Sequence, residues 1–245
     1  MPDKITIRNY LQTQGLKLPL TDVLAATLGF SAITSLDSNH LSEILSINRP
    51  LSVNSKIDFN QGVLTLEAIT PYLHPQSDQQ HLFIKLCALM DSANEQQAGD
   101  YFSLYATPAP CLDTEVASKT NSPLFFCAGA HNKEMQYNHL NRLFFPNSNV
   151  KQVAQTGWLR MVDDLPQWQQ LHGETETLQP TSLQNIGSEM ILPLYANNDL
   201  DAILGILYVQ NQHTYTLSEE KQIILVALAL VLTDILFQID WQLFH

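Results

Sequence analysis

Apolar residues at Leu82, Phe83, Leu86, Leu89 and Met90 recur at three- and four-residue steps, and the spacing predicts a helix that opens near Gln80 and stops before Gly99. The period then changes. Tyr101 to Ala106 and Leu124 to Ala128 are short runs of β-formers on either side of a proline-containing loop that carries Cys111, and each predicts a strand. Two further strands are expected at Met190 to Tyr195 and Ile203 to Val209, across the turn-forming Ala196-Asn197-Asn198-Asp199. Between the two strand pairs, residues 131 to 185 are mixed and polar. That stretch predicts a helix near Val150 to Ala154 and a loop or helix cap at Asp163-Asp164, ahead of Leu165-Pro166. A last helix is expected from about Ser218 to Leu243, with Thr216 and Glu219 at capping-box spacing and Glu219 and Glu220 where the N-terminal dipole favours anions.

The first 75 residues read differently. Short helical patterns run around Ile5 to Leu11, from Thr21-Asp22 into Val23 to Ala26, and after Ser38 through Leu41, Ile44 and Leu45, with Thr21 and Ser38 as expected N-caps. Two β-like runs follow, Leu51 to Phe59 and Val63 to Ile69, joined by Asn60-Gln61-Gly62. The polar, proline-containing stretch from His74 to Gln80 reads as a linker. The pattern therefore predicts a small α+β unit over residues 1–75 and an α+β domain over residues 80–245.

Ser188-Glu189-Met190-Ile191-Leu192-Pro193-Leu194, then Leu204-Gly205-Ile206-Leu207-Tyr208-Val209, then Tyr215-Thr216-Leu217-Ser218-Glu219-Glu220 form a progression that resembles the end of a GAF domain. Upstream, Asp100 to Tyr105 is similar to the first strand, and Val153 to Gly157 with Asp163 to Pro166 to the helix and loop before the third. The resemblance spans residues 80 to 243. It implies a central antiparallel sheet flanked by helices, helices on one face that often dimerise, and a small-molecule pocket on the other. Independently of the family, Gly205 within a strand permits close backbone approach, and Pro193 belongs at an edge or near a strand end, where its missing N–H is harmless.

Composition narrows the function classes. Twelve Lys plus Arg stand against 24 Asp plus Glu, a formal net charge of −12, and no basic cluster offsets it. A nucleic-acid backbone or an anionic membrane would repel such a chain, so neither is expected as a partner. The uncharged run Gln222 to Thr233 is shorter than the roughly 20 residues of a membrane-spanning helix and predicts a buried helix instead. Cys87, Cys111 and Cys127 leave one thiol over in any pairing and have no CxxC spacing. With no secretory h-region in the first residues, a reducing cytoplasm is the expected location.

The chemistry-bearing candidates are few. Cyclic-nucleotide-binding members of the resembled family carry a lysine that pairs with a carboxylate on the last helix; here Gln212 stands at that place and forms no ion pair with Glu219. Bilin-binding members attach their chromophore through a cysteine often followed by histidine, and no Cys-His pair occurs. Cys111 reads as an ordinary loop thiol, since nothing nearby in sequence supplies a cation to lower its pKa. No GxSxG, HExxH, GxxxxGK[ST] or GxGxxG occurs. The histidines show no metal-ligand spacing, so no metal site is expected, and His172 reads as a surface or core histidine rather than a haem ligand. No cofactor is identified.

What remains is an apolar pocket with a few polar groups. If Phe102, Leu104 and Ala106 pack on the helices, strand alternation turns Ser103 and Tyr105 to the pocket side, and Trp158, Met161 and Trp168 cover it from the insert. On the last helix Ile224, Ala227, Leu228, Val231 and Ile235 recur at helical steps, with apolar character beyond one stripe. That surplus predicts a homodimer through this helix and the Gln80 to Met90 helix. The expected function is a non-catalytic regulatory or sensory protein of bacterial-type signalling that acts through small-ligand binding, dimerisation or both, with output through a protein partner or residues 1–75. The alternatives are a ligand-free protein–protein adaptor and, less favoured, a thiol-dependent enzyme.

Overall fold

A computed structural model of the chain describes residues 2–37, 41, 80–106, 125–131, 148–172, 186–195 and 203–239. In chain order the elements are α1 (Lys4–Thr13), α2 (Leu20–Ser35), α3 (Gln80–Glu95), β1 (Tyr101–Ala106), β2 (Phe125–His131), α4 (Ser148–Thr156), β3 (Arg160–Val162), α5 (Leu165–His172), β4 (Ser188–Tyr195), β5 (Ile203–Asn211) and α6 (Glu219–Leu236). The third N-terminal helix beyond Leu41, both N-terminal β runs, the linker and Cys111 lie outside the described residues.

The five strands form one antiparallel sheet in the order β2-β1-β5-β4-β3, which is an α+β architecture. Its register decides which side chains share a face. Glu189 stands opposite Gln210 and Tyr101 opposite Gln210; Ile191 and Ser103 both oppose Tyr208; Pro193 and Tyr105 both oppose Ile206. These residues therefore line one face, with Arg160 and Val162 of the edge strand β3 beside them. Phe102, Leu104, Leu207, Val209, Met190 and Leu192 alternate onto the other face.

Helices cover both faces. α4 packs on β4 and β5 from the Glu189 side, to which its Asn149 is hydrogen-bonded, while α3 and α6 cover the apolar face. α2 lies against α6 and α3, with α1 against α2. Ile7, Tyr10, Leu11, Val23 and Phe30 thus belong to the same buried cluster as the sheet and α6. This outer cover accounts for α6. Ala227, Leu228, Val231 and Ile235 are buried inside the chain and Ile224 is half-buried, so the apolar surplus on this helix has α2, α3 and the sheet as its partners.

Several local expectations shift. α6 begins at Glu219 with Ser218 as its N-cap, the Ser218 side chain accepting from the Lys221 amide, rather than with a capping box at Thr216. Thr216 instead shares a 2.8 Å hydrogen bond with Ser188, which ties the start of β4 to the approach to α6. α2 begins at Leu20 after Pro19, with no side-chain cap, and Thr21 lies inside it. Strand β3 is three residues long, and α5 follows it directly: Pro166 occupies the first turn, where a missing N–H costs nothing. Pro193 lies beyond the register of β3, so its missing donor faces no strand, and its carbonyl accepts a 3.1 Å hydrogen bond from Tyr10. Opposite Gly205 the β4–β5 register shifts between Leu194 and Tyr195, which leaves Leu204 as an extra residue on β5.

Candidate functional site

Glu189 interrupts an otherwise apolar strand and is fully buried. A carboxylate in that position needs partners, and three elements supply them. Arg160 on β3 donates through Nε to Oε1 at 3.0 Å, Tyr208 on β5 donates to Oε2 at 2.8 Å, and Asn149 on α4 donates to Oε1 at 3.3 Å. Gln210 donates to the Tyr208 hydroxyl at 2.9 Å, which extends the network along the sheet. The Arg160 guanidinium also lies 4.0 Å from the ring centre of Trp168 on α5, and His172 stacks on Trp168 at 4.3 Å. One arginine therefore joins the edge strand, the sheet and α5.

Outside this network opens a cleft of about 610 Å³ between the end of α4, the segment 158–164 and α5. Its walls include Trp158, Arg160, Met161, Asp163, Trp168 and Tyr215. Trp158 is 57% exposed, Leu171 74% and Tyr215 71%, so its rim is apolar and open. The acidic pair Asp163-Asp164 has two local roles. Asp164 caps α5, Oδ1 accepting from the Gln167 amide at 3.0 Å, and its Oδ2 accepts from the Tyr215 hydroxyl at 3.1 Å. The Asp163 carbonyl accepts from the Tyr215 amide at 2.7 Å, which holds Tyr215 in a left-handed conformation with φ of 56°. The hydrogen bond to Asp164 and the negative charge of both aspartates raise the pKa of the Tyr215 hydroxyl.

The near wall is fastened to the N-terminal helix. Gly157, with φ of 70°, turns the chain from α4 toward β3. Its carbonyl accepts from Gln14 Nε2 at 3.0 Å and from the Tyr195 hydroxyl, and the Gln14 side-chain oxygen accepts from the Leu159 amide. Tyr10 packs on Tyr195 with ring centres 5.8 Å apart. Burial, helped by the neighbouring Tyr195, pushes the Tyr10 hydroxyl well above its usual pKa, and burial also raises Tyr195 against the opposing effect of its bond to Gln14.

Of the residues expected at a ligand site, Trp158, Met161 and Trp168 come together in the cleft wall. Ser103 and Tyr105 do not join them. They are buried on β1, three strand spacings from β3, about 14 Å away across the sheet. Gln212 turns to β1, its amide donating to Asp100 at 2.8 Å and its side chain to the Tyr101 hydroxyl. His172 is exposed on the outer side of Trp168. Cys87 is half-buried on α3. Among the described residues no group of three His, Cys, Asp or Glu side chains is placed to hold a metal ion, and no helix is long and apolar enough to cross a membrane. Sequence reasoning missed Arg160, Glu189 and Asn149. The available signal was the lone acid inside SEMILPLY, which demands a cation from elsewhere.

No protein-family model matches the sequence, and neither does any curated protein. Among solved structures the chain is similar to the GAF domain of an Acinetobacter phosphoenolpyruvate-protein phosphotransferase, at 17% identity over 64% of this chain and 82% of that one, with a TM-score of 0.47. It is similar to the corresponding GAF domain from Coxiella burnetii at 17% identity over 64% and 83%, TM-score 0.45. It is also similar to a type II free methionine-R-sulfoxide reductase from Thermoplasma acidophilum, at 11% identity over 67% and 98%, TM-score 0.48. The likeness is one of fold, to divergent GAF-like structures.

Proposed function

We propose that this chain is a non-catalytic regulatory protein that takes a small ligand in the cleft beside β3 and passes its state to a protein partner. The observation that carries the reading is the joint wall of Trp158, Arg160, Met161, Asp163 and Trp168 around a space of small-molecule size, with one side fastened to α1 through Gln14. Apolar and ring surfaces supply contact area, and a few fixed polar groups supply orientation. Native mass spectrometry of the chain purified from its own source tests this: a retained small molecule whose occupancy falls in Trp158→Ala is expected. A ligand-free chain in which no added metabolite alters the fluorescence of the cleft tryptophans would sink the proposal.

A ligand-free adaptor is the second reading, and it is favoured by the exposed Trp158, Leu171 and Tyr215 at the rim, which suit a protein partner as well as a small molecule. Pull-down beside native mass spectrometry separates the two: the adaptor captures a partner that Leu171→Asp loses while no compound is retained, whereas a compound retained by the wild type and lost in Trp158→Ala supports the ligand reading. Homodimerisation belongs to the proposal only through surface that α2 leaves uncovered. Thiol chemistry is tested by replacing Cys87, Cys111 and Cys127 together, an unchanged phenotype leaving it no basis. A reducing, cytoplasmic setting goes with the regulatory reading.

A further inference from the structure

Four buried side-chain polar atoms among the described residues have no hydrogen-bond partner: Ser31 Oγ, Arg160 Nη2, Asp163 Oδ1 and Asn211 Oδ1. The two that belong to charged groups, one cationic and one anionic, sit on residues that line the same cleft. Arg160 is fixed by Glu189 through Nε and by Trp168 against its face, while Asp163 is fixed through its carbonyl by Tyr215 and lies beside Asp164, both of whose oxygens are in use. Within this framework one donor, Arg160 Nη2, and one acceptor, Asp163 Oδ1, are left without a partner.

The charges of the surroundings select among occupants. Arg160 is already countered by Glu189, so a simple anion would meet a neutral pair with Asp163 and Asp164 close by, and would be repelled. A simple cation would answer Asp163 and leave the guanidinium donor unpaired in a buried site. A ligand that carries both charges answers both atoms and adds no net charge. Neither atom is open to bulk water, but both side chains line the cleft.

Resting on the small-ligand reading above, we propose that the cleft receives a small zwitterion of amino-acid type, its anionic group held by Arg160, its ammonium by Asp163, and its apolar part against Trp158 and Met161. Calorimetry on the full chain with L-phenylalanine, L-leucine, 3-phenylpropanoate and 2-phenylethylamine tests it. One or both amino acids are expected to bind at least about tenfold more tightly than either half-molecule, because a site with fixed polar groups rejects an analogue lacking their partner. Asp163→Asn should weaken the amino acid and tighten 3-phenylpropanoate, whose repulsion by Asp163 it removes, and so bring the two affinities close together. Arg160→Lys, which keeps a cation for Glu189, should weaken the amino acid and 3-phenylpropanoate but not the amine.

Equal affinity for the amino acids and a half-molecule, or wild-type amino-acid affinity in Asp163→Asn, overturns the zwitterion while leaving a small-ligand cleft intact. If none of the four probes binds but another compound is retained and lost in Trp158→Ala, the zwitterion again falls and the ligand reading stands. Orphaned atoms answered by water alone, with no compound retained or bound, would end both.

Discussion

At the scale of single residues, the Arg160–Glu189 pair separates cost from benefit. Burying a carboxylate is expensive, and its attraction to one guanidinium need not repay that cost, but removing the guanidinium leaves the charge uncompensated. Arg160→Met is therefore expected to lower unfolding free energy by about 3–5 kcal/mol, and Arg160→Met with Glu189→Gln to recover much of the loss. Urea titration of the three proteins measures it, and a loss below about 1 kcal/mol in the single variant would mean that the pair behaves like a surface contact. Gly187 sets a second limit. A Cβ built there would stand 2.2 Å from the His213 backbone carbon and 2.4 Å from the Thr214 amide nitrogen, atoms that cannot swing aside. Gly187→Ala should cost about 1–3 kcal/mol or more in the same titration.

Tyr10 makes the matching prediction for pH. Its hydroxyl is buried and its pKa raised well above 10.0, so above pH 10 the unfolded chain loses this proton while the folded chain keeps it. The unfolded state then binds fewer protons, and stability must fall as pH rises, with a slope approaching about 1.4 kcal/mol per pH unit for this one group. Below pH 10 both states hold the proton and the slope vanishes. Denaturant melts from pH 8.5 to 11 should show the fall in the wild type and a shallower one in Tyr10→Phe; parallel curves would remove Tyr10 as the cause.

At the scale of elements, α1 is tied to the segment entering β3 by one side chain. Gln14 satisfies the Leu159 amide with its oxygen and the Gly157 carbonyl with its nitrogen, a use of both ends of an amide that no other residue type of similar size reproduces. Gln14→Leu keeps the volume and removes the bonds. It is expected to cost about 1–3 kcal/mol and to speed hydrogen exchange at Leu159 and along α1 together, whereas exchange in β1 stays unchanged. Faster exchange at only one of the two sites would show that they are not joined.

The elements were unevenly legible in the sequence. β1, β4, β5, α3 and most of α6 announce themselves through local periodicity, because each buries a regular face. α5 was legible only as one of two readings, a loop or a helix cap ahead of Leu165-Pro166; Asp164 caps the helix and so places the proline, a breaker further in, in its first turn. Thr216 has the spacing of a cap, but its hydroxyl is drawn to Ser188, distant in sequence, and the next acceptor along, Ser218, takes the role. The cleft was legible only in part for the same reason. Trp158, Met161 and Trp168 cluster in sequence, whereas the partnership of Arg160 with Glu189 crosses from β3 to β4 and leaves no local trace beyond an acid in an apolar strand.

At the scale of the whole molecule, the apolar excess of α6 has two solutions that a sequence cannot separate: a second copy, or another helix of the same chain. Here α2 provides the cover, and it is itself apolar, with Val23 and Phe30 buried in the shared cluster and Leu28 exposed on the outside. Placing a charge beneath α2 should reopen the choice. Phe30→Asp buries a carboxylate with no partner, which is expected to cost about 3–5 kcal/mol through lost packing alone and to loosen α2 from α6. The uncovered face would then carry a broad apolar stripe, and such stripes associate. Light scattering at micromolar concentration should therefore give a larger mass for Phe30→Asp than for the wild type, while Leu28→Asp, on the exposed side of the same helix, changes neither mass nor melting. If Phe30→Asp melts earlier but keeps the wild-type mass, α2 stabilises α6 without shielding an associating face. If both variants match the wild type, the contact between α2 and α6 contributes nothing that a charge can disturb, and the apolar excess of α6 would need a partner other than the N-terminal helices.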